Sequence, residues 1–367
     1  MQKRLHFLLV LLLFFTTSLM AQVTTSSING KVVAAGEHVI GATVTAVHTP
    51  SGTTYTAVTN TDGRYTIQGM RVGGPYKVTI SYIGFKDETR SNLYLTLGEP
   101  TVINTDLKED AKMLGEVTVT GIAGKGGMGA ASNFSQKQID NTPTINRNVY
   151  DVAKLSPLVN TSKLGGISIA GSNNRYNSFQ IDVFGLASSG TNGGQTGTNP
   201  IAMDAIEQIQ VVASPFDVRQ GGFTGGGINA ITKSGTNTFH ASAYTYYTDE
   251  NLYSKWSQVL DKEAKLGKQS TNTYGASLSG AFVKDKVFFF TNIELKKNTY
   301  PTSIYPGYIP EYITDADAKL IADTYYRYTK IRDSYGARDI DSRSISALSR
   351  LDWNIDNNNK FTFRYQL

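Results

Sequence analysis

The chain has 367 residues, 40% of them hydrophobic and 18% charged, with 35 glycines, 21 tyrosines and 16 phenylalanines. At roughly 150 residues per domain this is more than one core, and the weight of glycine and aromatics points to β structure rather than a helix-rich cytosolic protein. The formal net charge of +5 is spread along the chain, which excludes the clustered basic footprint of a nucleic-acid binder, and the absence of cysteine excludes both disulfide staples and the acylated N-terminal cysteine of a lipoprotein.

The first element is a leader. Lys3 and Arg4 precede an unbroken apolar run from Phe7 to Phe15, and small or polar residues follow as far as Ala21. That layout predicts a cleaved secretory signal over 1–21. The run is shorter than the about 20 apolar residues a helix needs to cross a bilayer. Cleavage removes Lys3 and Arg4 and lowers the net charge by two.

From 22 to 110 short β-prone runs alternate with turn chemistry, as in "INGKVV", "GATVTAVHT" and "YKVTISYIGF". Strands at this spacing predict a sandwich. Asp62 and Gly63, which tolerate positive φ, predict a hairpin between the runs on either side. The stretch "TNTDGRYTIQGM" followed by "PYKVTISYIGFK" closely resembles the carboxypeptidase-regulatory-like domain, a transthyretin-like β-sandwich found ahead of many outer-membrane receptors of Bacteroidetes. Despite its name that domain carries no peptidase residues. His38 and His48 lack the acidic spacing of a zinc site, with His6 and His240 far off, so no metal is expected.

Residues 111–130 combine "GEVTVTG" with the glycine-rich "GIAGKGGMGA". An exposed extended segment with alternating valines, tethered by glycine, is suited to adding itself as a strand to another protein's sheet. In the receptors this chain resembles, the TonB box lies here, and the resemblance puts Glu116, Val117, Thr118, Val119 and Thr120 against the inner-membrane energy transducer. Val117 and Val119 equally suit the last strand of the sandwich or the first strand of the next domain. Gly124, Gly126 and Gly129 spell a formal G-x-G-x-x-G, but Pro143 stops the helix that a dinucleotide site requires.

From 131 to 236 the chain resembles the plug of TonB-dependent receptors in three motifs taken in order. "SQKQIDNTPTINRNVYDVAKLSPLV" looks like the opening helix and turn, "ISIAGSNNRYNSFQIDV" like the central strand pair, and "AIEQIQVVASPFDVRQGGFTGGGINAITKSGTN" like the last strands before the barrel. Val183 departs from the glycine usual after Ile-Asp. A domain filling a barrel needs charged outer contacts, and Arg175, Asp182 and Arg219 are the candidates for meeting the wall. The composition of 184–200 predicts a mobile loop.

Beyond 236 the alternation is that of a membrane barrel, with about ten-residue strands apolar on one face and polar on the other. Ile345, Ala347, Leu351, Trp353 and Ile355 oppose Ser344, Ser346, Arg350, Asp352 and Asn354; Phe361, Phe363 and Tyr365 oppose Thr362, Arg364 and Gln366. Tyr274, Ala276, Leu278 and Phe282 alternate likewise, as do Phe289, Ile293 and Leu295 against Asn292, Glu294 and Lys296. A soluble sandwich alternates too, so the connections discriminate: 249–269 and 299–341 are long, 284–286 and 356–360 short, the pattern of external loops and internal turns. Thr314 is placed to cap a helix in the second long loop. Five strands cannot close an antiparallel barrel, which takes about eight or more, so a fragment or an open form is expected; the receptors this chain resembles have a roughly 22-stranded barrel around the plug, and the resemblance implies that most of the barrel lies beyond Leu367.

The tokens "RYNSFQIDV", "AIEQIQVVASPFDVRQGG" and "INAITKSGTNTFHASAY" most resemble the Oar-like branch of the TonB-dependent receptors. The fold class expected is mainly β: signal peptide, transthyretin-like sandwich, α/β plug and the start of an incomplete transmembrane antiparallel barrel over 237–367. The resemblance implies TonB-driven passage of a bulky peptide, protein or oligosaccharide through the outer membrane. Its partners would be a TonB-type transducer and outer-membrane lipid, with a lid lipoprotein as a further candidate, and the sandwich would lie in the periplasm. A glycan importer of the SusC-like kind and a non-transporting surface adhesin are the alternatives. No cofactor or nucleic acid is implied, and no paired nucleophile and base marks an enzyme.

Overall fold

The computed structural model describes residues 24–109, 124–125, 131–144, 147–161, 167–173, 176–182, 184–186, 201–213, 225–253, 256–257, 262–263, 267–301, 313–332, 339–356 and 359–367. They form two compact units, Met1–His240 with Ser279–Phe290 and Ser349–Tyr365, and Ala241–Leu278 with Thr291–Leu348 and Gln366–Leu367. The predicted leader over 1–21 lies outside the described residues.

The first unit opens with a sandwich built from β1 (Ser26–Ala34), β2 (Glu37–His38), β3 (Thr43–His48), β4 (Thr53–Val58), β5 (Arg64–Met70), β6 (Gly73–Ser81), β7 (Glu88–Leu95), β8 (Pro100–Val102) and β9 (Thr105–Leu107). Strands β4, β3, β6 and β7 make one antiparallel sheet in that order. In the other sheet β1 is central: β5 runs antiparallel along one side of it, and β8 and then β9 run parallel along the other. Period-two alternation turns Ile28, Val32, Val44, Ala46, Tyr65, Ile67, Val78 and Ile80 into one shared core. Where β8 hands over to β9, the Ile103 carbonyl comes so near Gly30 that a Cβ there would lie 1.8 Å from its oxygen. The hydroxyl of Tyr65 donates to the same carbonyl at 2.9 Å.

The hairpin expected at Asp62 and Gly63 is a crossing between sheets instead. Strand β4 pairs with β3 and β5 pairs with β1. The reason lies at the end of β4. Thr59 donates to the Ala42 carbonyl through its backbone at 3.0 Å and to the Val39 carbonyl through its hydroxyl at 2.7 Å. The Asn60 side chain then accepts from the amides of Asp62 and Arg64. Gly63 does supply the positive φ, +69°, and the turn is closed by the Asn60 side chain together with two backbone bonds of 2.9 Å, from the Asn60 amide to the Arg64 carbonyl and from the Gly63 amide to the Asn60 carbonyl.

A two-residue strand, β10 (Gly124–Lys125), adds antiparallel to β8. The chain then continues through β11 (Ala131–Ser135), α1 (Gln136–Asn141), α2 (Val149–Ala153), β12 (Val159–Thr161), β13 (Ile167–Ile169), β14 (Ser178–Ile181), β15 (Phe184–Leu186), β16 (Ile206–Val212) and β17 (Gly227–Thr232). A five-stranded sheet takes them in the order β11, β16, β17, β14, β15, with only β14 and β17 parallel. Every residue of β17 is buried, so the sheet is covered on both faces.

The pair expected within "ISIAGSNNRYNSFQIDV" does not form. Strand β13 pairs with β12, and β14 with β15 and β17. Between β13 and β14 the chain turns at Ala170 and Gly171, both at positive φ, and the Asn177 side chain holds the bend, donating to the Ile167 carbonyl at 2.7 Å and accepting from the Gly226 amide at 3.0 Å. Val183 and most of the expected mobile loop, 187–200, lie outside the described residues.

The remaining strands are β18 (His240–Asp249), β19 (Trp256–Ser257), β20 (Lys262–Glu263), β21 (Ser270–Val283), β22 (Val287–Pro301), β23 (Asp339–Asn354) and β24 (Lys360–Gln366), with α3 (Asp315–Thr329) before β23. Strands β18, β21, β22, β23 and β24 form one sheet in that order. The short connections fall after Val283 and Asn354 and the long ones after Asp249 and Pro301, as the sequence predicts. Thr314 caps α3, accepting from the Asp317 amide.

Strands β21, β22 and β23 have 14, 15 and 16 residues, longer than the about ten a hydrocarbon core requires. The excess is charged: Lys297 pairs with Asp341 at 3.3 Å and the Thr299 hydroxyl donates to the same carboxylate at 2.7 Å.

Candidate functional site

On the sheet of β18, β21, β22, β23 and β24 the large apolar side chains of Leu278, Phe282, Ile293, Ile345, Trp353, Phe361 and Phe363 are exposed, whereas Thr273, Asn292 and Glu294 are buried in company with Phe288, Phe290 and Leu348. The inward face is hydrogen-bonded within itself: Tyr244 donates to Glu294 at 3.0 Å, and the Asn292 amide donates to the Ala276 carbonyl at 3.3 Å. Apolar out and polar in is the pattern of a strand bathed in lipid on one side.

Within the first unit, charged residues from β23 and β24 meet the five-stranded sheet of 131–232. Asp182 sits in the turn after β14 at φ 53°, its side chain 2% exposed. Its Oδ1 accepts from the Thr232 amide at 3.0 Å and its Oδ2 from the Thr232 hydroxyl at 2.7 Å. Arg364 Nε lies 3.1 Å from Oδ2, a charge contact without the alignment of a hydrogen bond. Arg350 donates from Nη1 to the Thr232 carbonyl at 2.8 Å and from Nε to Asp352 at 2.8 Å. The Thr362 hydroxyl completes the cluster on Asp352 at 2.8 Å.

The sandwich joins this cluster through Arg71, whose Nη2 donates to the Gly235 carbonyl at 3.1 Å. Burial pushes the Arg71 guanidinium below its usual value, with Asp352 and Glu207 acting the other way. Burial likewise pushes the Glu207 carboxyl up, with the Arg71 and Lys233 charges opposing it. Glu207 approaches the sandwich so closely that a Cβ on Gly73 would meet its Oε1 at 2.9 Å.

Two further contacts hold the sandwich. Between β7 and β8, the Leu97 amide donates to Gln208 Oε1 at 2.9 Å and the Leu97 carbonyl accepts from Gln210 Nε2 at 2.6 Å. The two glutamines of β16 thus bond the backbone of Leu97 as a neighbouring strand would. The Leu97 side chain is fully buried with Val72 and Ile231, and Asn133 of β11 donates to Glu99 at 2.8 Å. On another side, the β3–β4 turn reaches the short turns of the sheet. Asn237 donates from its amide to the Pro50 carbonyl at 2.9 Å. Asn354 donates to the Thr53 hydroxyl at 3.0 Å, and Lys360 Nζ stands 3.6 Å from the centre of the Tyr55 ring.

Of the residues proposed from sequence, Asp182 lies in this cluster. Glu116, Val117, Thr118, Val119, Thr120, Arg175 and Arg219 lie outside the described residues. Arg71, Leu97, Glu207, Gln208 and Gln210 went unremarked in the sequence. Gln208 and Gln210 alternate with Ile209 and Val211, which reads as a solvent face, while both faces of β16 are in fact buried apart from Glu207. His48 stays in the sandwich core, its Nδ1 2.7 Å from the Ser51 hydroxyl. Among the described residues no group of three or more His, Cys, Asp or Glu is placed to hold a metal ion.

Comparison with known proteins finds three family models along the chain. Residues 27–108 match the carboxypeptidase regulatory-like domain, 126–228 the TonB-dependent receptor plug domain and 231–314 an outer membrane beta barrel domain. The TonB-dependent transporter Oar of Myxococcus xanthus is 28% identical over 253 residues, which is 64% of this chain and 23% of that protein. The chain thus spans about a quarter of the curated relative it matches. Among solved structures, the outer membrane transporter YddB of Escherichia coli is similar at TM-score 0.46 and 15% identity, over 64% of this chain and 32% of that one. The ferric enterobactin receptor of Pseudomonas aeruginosa is similar at TM-score 0.43 and 16% identity, over the same shares.

Proposed function

We propose, for a chain that belongs with the TonB-dependent receptors of the outer membrane and not with enzymes, that it serves to move a bulky ligand inward at the expense of the inner-membrane proton gradient. The observation that carries this reading is the exposed apolar face of the sheet of β18, β21, β22, β23 and β24. Its apolar side faces outward for lipid, and two cations from its strands, Arg350 and Arg364, turn inward to Thr232 and Asp182. A domain held by charged side chains rather than by a continuous apolar core is suited to being displaced without unfolding the wall.

The outer membrane holds no nucleotide to drive that displacement, so the work enters as mechanical force. The segment 116–120 supplies an extended strand for the transducer to grip, and the sandwich then lies on the periplasmic side, placed there by a leader over 1–21. A peptide, protein or oligosaccharide is the ligand class.

The test is capture of the purified periplasmic domain of the transducer from the same organism. The intact receptor is expected to retain it and a receptor lacking 116–120 to lose it, with both remaining in the outer-membrane fraction. Undiminished capture after the deletion removes the coupling assignment. Capture by neither protein, together with surface binding indifferent to collapse of the proton gradient, replaces transport with adhesion.

A further inference from the structure

We propose that the sandwich is the carrier of the plug: under load it stays seated on the sheet of 131–232 and parts from the barrel turns. This rests on the coupling reading above for where the load enters. Beside the buried Arg71, which bonds Gly235 and has Glu207 of β16 and Asp352 of β23 as charged neighbours alike, the two remaining attachments of the sandwich differ in kind, and that difference sets the order in which they yield.

The seat on the plug is dry. Leu97, Val72 and Ile231 are buried together, and the Leu97 backbone is bonded on both its polar atoms by Gln208 and Gln210, themselves buried. Separation there exposes apolar surface and strands four hydrogen-bonding groups at once. The seat on the turns is wet. The Asn237 backbone amide donates to the Pro50 carbonyl at 2.9 Å, and its side chain donates to Asp285 at 2.7 Å in an exposed contact that shapes the turn against Gly52. Asn354 holds Thr53 by one hydrogen bond, and Lys360, itself exposed, lies over Tyr55. Water replaces each of these at little cost.

The backbone also routes load to the sandwich first. On one side of 110–123 the Lys108 carbonyl accepts from the Lys86 amide at 2.9 Å and Glu109 forms a bridge with Phe85. On the other side β10 is paired with β8. A pull applied between these points bears on the sandwich at both ends before it reaches β11. Strand β8 begins three residues after Leu97, and Glu99 between them is bonded to Asn133 of β11. From β8 the load therefore passes directly into β16 and β11.

These 367 residues hold no cysteine, so paired substitutions report without background in a receptor whose remaining residues are likewise freed of cysteine. Glu99→Cys with Asn133→Cys bridges sandwich to plug; Thr53→Cys with Asn354→Cys bridges sandwich to barrel turn. Each pair is closed with a short bifunctional thiosulfonate and reopened with reductant. The intact receptor in a supported bilayer is pulled by force microscope through a biotin-acceptor peptide inserted after Thr120. The unlinked receptor is expected to give a discrete first extension step. The Thr53–Asn354 link should abolish that step and reductant restore it, whereas the Glu99–Asn133 link should leave it unchanged. Loss of the step with the Glu99–Asn133 link, its persistence with the Thr53–Asn354 link, or strand-by-strand peeling with no first step overturns the proposal. The instrument supplies the pull, so the order of rupture is read even if the transducer fails to engage 116–120.

Discussion

Arg364 on β24 brings its Nε to 3.1 Å from the carboxylate of Asp182, a residue held at positive φ by two bonds from Thr232. The carboxylate is nearly sealed from solvent and the guanidinium is 15% exposed, so removing one partner strands a charge that water reaches poorly. Asp182→Ala is expected to destabilise the plug by about 3–5 kcal/mol, and Arg364→Leu added to it to recover much of that loss. Urea midpoints of the single and double variants measure both. A single variant as stable as the parent would show that the pair is idle.

Leu278 lies on the outward face of β21 and is exposed. On a soluble sheet an exposed leucine tolerates a charge. Facing hydrocarbon it does not, and Leu278→Arg is expected to cost about 2–4 kcal/mol if the residue sits near mid-membrane. Refolding from urea into lipid vesicles gives the number. An unchanged refolding midpoint contradicts the lipid-facing assignment.

His48 is buried in the sandwich, and burial, with the Arg71 and Lys360 charges, pushes its imidazole down to about 3 from 6.5. Above pH 6.5 the ring is neutral whether the chain is folded or not, and it exerts no pull on stability. Below 6.5 the unfolded chain takes up the proton first, so folding loses ground until the pH reaches about 3. At pH 5 the deficit from this group is about 2 kcal/mol. His48→Gln should flatten the pH dependence of sandwich stability between pH 7 and pH 4.5, read from amide exchange in β3 and β6 of the full chain. An equally steep dependence in the variant assigns it to other groups.

Gly30 and Gly36 separate two reasons for glycine. At Gly30 an added Cβ meets a backbone carbonyl that the Tyr65 hydroxyl also uses, while at Gly36, φ +88°, nothing lies within 4 Å. Gly30→Ala is expected to cost more than about 3 kcal/mol, since β8 and β9 must shift to admit it. Gly36→Ala should cost about 1 kcal/mol from its backbone angle alone. Thermal unfolding followed in the sandwich ranks them, and equal losses would refute the close approach at Ile103.

Much of this architecture was legible because period-two alternation is a local signal. Ile345, Trp353, Phe361 and Phe363 share a face in any sequence-based reading, and Thr314 announces α3 one residue ahead. What the alternation could not say was which face looked inward, since a sandwich and a barrel wall repeat alike; burial of Asn292 and Glu294 decides it. Asp182 stood out as a lone charge beside an apolar strand. Its partner Arg364 lies 182 positions later, and nothing local links the two. Leu97, Gln208 and Gln210 were illegible for another reason: the bond between β16 and the sandwich is made by side-chain amides to a backbone, which leaves no repeat to read. The turn at Asp62 misled because residues permissive for positive φ mark a reversal without specifying which strands it joins.

The placement of β1 constrains how the polypeptide can mature. The first strand to emerge is the middle of its sheet, and one of its contacts, the Lys31 amide to the Asn104 side chain, closes over 73 residues. Until that distant stretch arrives, the leading strand has an open flank and no completed layer to bury it. A chain so arranged stays thread-like while its front is being made, and it gains a hard shape only once about a hundred residues are out.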